Sequence, residues 1–143
     1  MKKNILGFIF LVISSVLHAQ SKIVARISNV RNDHGVCQVC LFNNAASFSG
    51  DGGTPVQCVQ APIKNGISEA LFENVATGEY AVMVFHDANT NKKMDLNFMG
   101  IPKEGYGASR NKLPFASAPS FDENKFTVPD KTTTTLRIRL RNL

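Results

Sequence analysis

Apolar and polar positions alternate in several short runs of the chain, and a period of two predicts β-strands. Residues 22–30 place Ile23, Ala25 and Ile27 on one face, between more polar neighbours. Residues 36–42 resume the pattern after the turn-forming sequence NDHG. The two runs therefore predict a β-hairpin.

The most apolar run, YAVMVFH at residues 80–86, is apolar on both faces and predicts a central strand. Residues 71–78 supply another apolar run and a Gly turn just before it, which is typical of an antiparallel neighbour. Further strands are predicted at residues 56–61, 125–128 and 132–140.

Three segments are predicted to lack regular structure. Residues 43–54 are rich in Asn, Ser, Gly and Ala, which indicates an exposed loop. Residues 100–109 hold three Gly and one Pro, which favours irregular backbone packed over the preceding loop. Residues 111–124 form a long connection of the kind that covers a site or has a function. No amphipathic helix is predicted anywhere.

About seven short strands separated by frequent turns predict an all-β fold, and in an antiparallel protein this number indicates a two-sheet sandwich. One shared core is expected for the inward-facing residues of these strands. They are Ile27, Val39, Leu41, Phe72, Val82, Val84, Phe126 and Ile138.

The N-terminal segment has the layout of a secretory signal: Lys2 and Lys3 precede an apolar run at residues 5–13, and the segment ends at Ala19. The run is too short to span a membrane. We therefore predict a signal peptide at 1–19 and a single domain at 20–143. The mature protein is then periplasmic or extracellular and has no membrane span.

Basic residues are scattered, and the formal charge falls from +5 to +3 when Lys2 and Lys3 are removed. Arg137, Arg139 and Arg141 alternate with apolar residues, as on the wet face of a half-buried strand. Such a stripe could meet anionic glycans or lipopolysaccharide. Aromatic residues are not interleaved with the basic ones, so no nucleic-acid partner is expected.

Three cysteines, Cys37, Cys40 and Cys58, predict a disulfide in an exported chain. Cys37 and Cys40 are three positions apart on a strand and face opposite sides, so they do not bridge each other. We predict a bridge from Cys58 to either of them, with one thiol left over.

Oxygen-bearing side chains are most concentrated just after the central strand. The sequence there, D-x-N-x-N-x-x-x-D, places oxygen atoms at the spacing of calcium loops. Asn and Asp are also turn residues, so a loop that satisfies its own hydrogen bonds is the alternative. A Ca²⁺ ion would be bound by Asp87, Asn89, Asn91, Asp95, a backbone carbonyl near Lys93 and the carboxylate of Glu104.

The loop departs from an EF-hand at two positions. Lys92 stands where Gly is usual, and Phe98 stands where a bidentate Glu is usual. The affinity for Ca²⁺ is therefore expected to be weak. Asp87→Ala is expected to remove most of the calcium effect and to leave the fold intact, because the loop is expected to project from the sheet.

The run FENVATGEYAVMVFHDANTNKKMDLNFMGIPKEGYGAS resembles the DUF2141 family of exported bacterial proteins, and the similarity covers nearly all of the mature chain. The chain departs from the family pattern at Lys92, usually Gly, and at Ala108, often an aromatic residue. The resemblance implies a transthyretin-like or prealbumin-like β-sandwich and no assigned activity. The matching positions are Gly78, Tyr80, His86, Asp87, Asn89, Asn91, Asp95, Gly100, Pro102, Glu104 and Gly107.

Two functions from different classes remain. The favoured one is a secreted non-enzymatic module, with a structural Ca²⁺ loop, that presents a surface to a protein or polysaccharide partner. The alternative is a hydrolase in which His86 is the base and Asp87 or Glu104 orients it. No Ser or Cys stands in a sequence context that would activate it as a nucleophile, which favours the module.

Overall fold

The computed structural model describes residues 20–143, so the predicted signal peptide lies outside the described residues. The fold is all-β, as predicted, with two short helices. No helix among these residues is long and apolar enough to cross a membrane. The elements in chain order are β1 (Ser21–Ser28), β2 (Val36–Phe42), α1 (Ala45–Ser49), β3 (Gln57–Lys64), β4 (Ile67–Val75), β5 (Gly78–Asp87), β6 (Tyr106–Ala108), α2 (Phe121–Asn124), β7 (Phe126–Val128) and β8 (Thr133–Arg139).

The strands form one mixed sheet in the order β6-β5-β2-β3-β4-β1-β8, with β7 paired to β5. All pairs are antiparallel except β1 with β8, which is parallel. The two edges meet where Tyr106 and Arg141 exchange backbone hydrogen bonds of 3.0 and 2.8 Å. The predicted antiparallel two-sheet sandwich is therefore wrong in its arrangement: the sheet is mixed and nearly closes into a barrel.

Two predicted strand pairs do not form. β1 pairs with β4 and β8, not with β2, and β4 pairs with β1 and β3, not with β5. Turns do follow β1 and β4, as predicted. In the sheet order, however, β2 is not next to β1 and β5 is not next to β4, so neither turn closes a hairpin. β5 is central, as predicted, with β2 on one side and β6 and β7 on the other.

The predicted core is confirmed. Seven of its eight members are buried, and Phe126 is partly buried against the same cluster. Alternation identifies these residues correctly because inward positions of a strand recur every second residue whatever the partner strand is.

A second apolar cluster covers the outer face of β2 and β5, and the sequence analysis missed it. Residues 43–54, predicted as an exposed loop, contain α1, whose Phe48 packs on Phe42 and Phe121 at ring-centroid distances of 5.4 and 6.0 Å. Residues 100–109 likewise contain part of the sheet, because β6 pairs with β5. A helix of five residues is too short to show periodicity, and so it gives no sequence signal.

The disulfide joins Cys40 to Cys58, which stand directly opposite each other on β2 and β3. This confirms the predicted involvement of Cys58 and identifies Cys40 as its partner. Cys37 points into the core and is the free thiol.

We expect Cys37 to react with iodoacetamide about 100-fold more slowly in the folded protein than in guanidinium chloride. Burial raises the pKa of its thiol from 9.0 to about 11, and the thiolate is the reactive form. Alkylation followed by mass spectrometry at pH 8 measures this rate. Rapid labelling of the native protein would contradict the buried position.

Candidate metal centre

Asp87 is the last residue of β5, and its side chain is fully buried. Its carboxylate accepts hydrogen bonds from Gln38 Nε2 at 2.9 Å, from Asn91 N at 3.1 Å and from Lys92 N at 2.9 Å. Asp87 therefore fixes the start of the loop to the sheet. Asp87 itself belongs to the strand and not to the projecting part of the loop, because β5 continues through this residue.

The remaining side chains of the loop cluster around Asp95. Asn89 Nδ2 donates to Asp95 Oδ2 at 2.7 Å, and Asn91 Nδ2 donates to Asp95 Oδ1 at 2.8 Å. The Lys93 side chain is exposed, but its backbone N donates to Asn91 Oδ1 at 2.9 Å. The structure thus brings together the loop residues that the spacing predicts.

Glu104 joins this cluster from the far end of the connection between β5 and β6. Its Oε2 accepts the Asp95 N–H at 3.2 Å, while Lys103 N donates to the Asp95 carbonyl at 2.8 Å. Burial raises the pKa of the Glu104 carboxyl, and the nearby carboxylates of Asp95 and Asp87 raise it further. None of the ion pairs among residues 20–143 includes any of these three carboxylates.

The donor set is suited to a hard cation. Asp87 Oδ1, Asn89 Oδ1 and Asn91 Oδ1 each accept one hydrogen bond within the described chain, and such oxygens have two lone pairs. In residues 20–143 no group of three or more His, Cys, Asp or Glu side chains is placed to hold a metal. A shell here must therefore use amide and carbonyl oxygens as well as carboxylates, as calcium sites do.

The same hydrogen bonds also satisfy the loop without an ion, as the self-bonded alternative requires. Two residues of the loop adopt a backbone conformation that favours glycine. Lys92, where Gly is usual, has φ 63°, and Thr90 has φ 55°. Both residues lie in the left-handed region, which costs an ordinary residue about 1 kcal/mol.

Two residues that the sequence analysis did not single out position Asp87. Gln38 lies on β2 beside β5 and donates to its carboxylate. Gly35 has φ 69°, and a Cβ on it would overlap the Asp87 carbonyl oxygen. A polar residue inside an apolar strand was the available signal for Gln38, and the turn preceding β2 was the signal for Gly35.

The hydrolase alternative depends on the surroundings of His86. His86 is buried, and its Nε2 lies 2.7 Å from the carbonyl oxygen of His34. His86 and Glu104 do line one small cavity of about 90 Å³. The other lining residues are Arg31, Asn32, Ala88, Lys103 and Gly105, so this cavity offers no Ser, Thr or Cys.

A family model described as "Uncharacterized protein conserved in bacteria (DUF2141)" matches residues 25–136, most of the chain. No curated protein matches the chain.

Proposed function

The chain belongs to the DUF2141 family. From the geometry of the loop after β5, we propose that the protein is an exported, non-enzymatic binding module with one structural Ca²⁺ ion. The proposed ligands are the carboxylate of Asp87 at the end of β5, the carboxylate of Glu104, the backbone carbonyl of Lys93 and the side-chain oxygens of Asn89, Asn91 and Asp95. The ion stiffens a loop that presents a surface to a partner.

The observation that carries the proposal is the position of the Glu104 carboxylate, which accepts the Asp95 N–H at 3.2 Å beside the amides of Asn89 and Asn91. Neither Glu104 nor Asp95 takes part in an ion pair among the described residues, and the nearby carboxylates raise the pKa of Glu104 beyond the effect of burial. Like charges held close together and partly out of water repel each other. A divalent cation offsets this repulsion, and the neighbouring amide oxygens supply the rest of an oxygen shell.

The ion would have a mechanical role. Asp95 and Glu104 stand at the two ends of the segment 95–104, which the Lys103 to Asp95 backbone hydrogen bond already closes. A cation bound to both carboxylates would hold this base shut, while Asp87 ties it to β5. The loop would then keep one shape on binding, which reduces the entropy lost when a partner is bound.

Separate observations support the two other parts of the proposal, which are export and a non-enzymatic role. The Cys40–Cys58 disulfide is of the kind that persists in oxidising compartments outside the cytoplasm. The sequence of residues 1–19 supports the same location. The cavity beside His86 has no nucleophile, which favours a binding role over hydrolysis.

We expect saturating Ca²⁺ to raise the melting temperature by roughly 10 °C. Binding only to the folded state adds about 2.7 kcal/mol at a hundred times the dissociation constant, which we place at about 10⁻⁴ to 10⁻³ M. Asp95→Asn should lose most of this increment because it removes a ligand charge. Calorimetric scans in Ca²⁺ and in EDTA measure the difference.

The matched control is Asp130→Asn, which removes an exposed carboxylate outside the loop and should retain the full increment. A wild-type melting temperature that is indifferent to both Ca²⁺ and EDTA would mean that the loop is only self-bonded. An equal increment in Asp95→Asn would exclude this loop as the binding site.

A further inference from the structure

Exposed apolar side chains are concentrated on one surface next to the candidate metal centre. Of the nine large apolar residues exposed in the described chain, six belong to this surface, and Phe98 and Phe115 are 98% and 97% exposed. We call it the apolar tip surface. It consists of Leu96, Phe98, Met99, Ile101, Phe115 and Leu143.

Four of these residues, from three chain segments, meet around one groove. Met99, Ile101, Phe115 and Leu143 all line a cavity of about 530 Å³. Leu96 forms a bridge with Pro102, which lines the same cavity. Monomeric proteins rarely leave such contiguous apolar surface in water unless it has a binding role.

Residues 97–101 of the apolar tip surface form a turn closed by hydrogen bonds. Asn97 Oδ1 accepts hydrogen bonds from Met99 N at 2.9 Å and from Ile101 N at 3.0 Å, and Asn97 N donates to the Ile101 carbonyl at 2.8 Å. Gly100 supplies the left-handed residue, with φ 76°. These bonds fix the backbone around Phe98, whose side chain is left in water.

Basic side chains flank the same segments. Lys92, Lys93 and Lys103 lie on either side of the turn, and Arg110 and Lys112 precede Phe115 in the facing segment. All five are exposed, and none takes part in an ion pair among the described residues. The carboxylates of this region, by contrast, face the candidate metal centre.

We propose that the apolar tip surface docks on an anionic phospholipid membrane, with Phe98 and Phe115 entering the interface and the lysines meeting the headgroups. Exposed aromatic and aliphatic side chains next to basic ones are the combination that binds such surfaces. A polysaccharide would leave the apolar side chains without apolar partners. This departs from the protein or polysaccharide partner expected from the sequence.

The proposal rests on the proposed function in one respect, namely that the ion at Asp95 and Glu104 closes the base of the turn. It would also neutralise carboxylates that otherwise oppose an anionic surface. Calcium should therefore strengthen membrane binding, and the experiment is run in Ca²⁺ and in EDTA.

The test is cosedimentation of the exported protein, with its disulfide intact, with vesicles of phosphatidylcholine alone or mixed with phosphatidylglycerol. We expect at least about tenfold tighter binding to the mixed vesicles, weakened by salt because exposed charges are screened. The double variant Phe98→Ser/Phe115→Ser should lose at least about tenfold. The matched control Ile67→Ser/Leu71→Ser, at two exposed apolar residues of β4, should bind like the wild type.

No binding to mixed vesicles, or equal binding by the double variant, would overturn the proposal. A dimer in light scattering that the double variant abolishes, without vesicle binding, would instead assign the surface to a second copy and overturn it equally. A calcium-dependent melting temperature without vesicle binding contradicts the membrane alone. Vesicle binding that ignores EDTA supports the membrane and contradicts the role of the ion in it.

Discussion

Gly35→Ala is expected to destabilise the protein by roughly 3 kcal/mol or more, because two costs add at this position. Gly35 has φ 69°, in the left-handed region that favours glycine. A Cβ there would overlap the Asp87 carbonyl oxygen and lie 2.8 Å from Ala88 Cα, and both contacts are with backbone. The turn before β2 would have to move away from the end of β5.

Urea unfolding of Gly35→Ala measures this loss, and Gly50→Ala is the matched control. Gly50 has φ 82°, but no heavy atom lies within 4 Å of its added Cβ, so only the cost of the left-handed conformation applies there, about 1 kcal/mol. Equal losses in the two variants would show that the close approach of Gly35 to the end of β5 contributes nothing to stability.

Asp87→Ala is expected to cost roughly 3 kcal/mol even in EDTA, and also to abolish the response to Ca²⁺. The substitution leaves the Asn91 N–H, the Lys92 N–H and the Gln38 amide without their acceptor at a buried position. An unsatisfied buried donor costs about 1 to 3 kcal/mol. Chemical unfolding with and without Ca²⁺ separates the two losses.

Gln38→Leu serves as the control for this variant. It removes one hydrogen bond to Asp87 but no proposed ligand, so it should lose about 1 kcal/mol and keep the calcium increment. An Asp87→Ala protein as stable as wild type in EDTA would contradict the anchoring role. A retained calcium response would remove Asp87 from the ligand set.

Much of the fold could be predicted because strand periodicity is local. Ile27, Val84 and Ile138 could be assigned to the core from alternation alone. The pairing of β1 with β4 and β8 could not, since alternation says which face is buried and not which strand lies alongside. The partner of Cys58 was open for the same reason, and the β2–β3 register decides it.

The part of the candidate site that lies in one continuous stretch of sequence could be predicted from residue spacing. Asp87 to Asp95 lie in one short stretch of the chain, so the sequence alone brings their side chains close together. Gln38 and Gly35 approach Asp87 only because of the strand order. The sequence pattern marks Phe98 only as a departure from the EF-hand, at a position where a bidentate Glu is usual. Its exposure depends on the turn around Asn97, which sequence spacing does not describe.

The most direct measurement of the central claim is a titration of the ¹⁵N-labelled protein with Ca²⁺, followed by amide NMR shifts. Ligation changes the backbone at the ligands first, so we expect saturable shifts confined to residues 87–95 and to Glu104 with its neighbours, and reversed by EDTA. An unchanged spectrum at millimolar Ca²⁺, or saturable shifts centred elsewhere, would contradict a calcium centre in this loop.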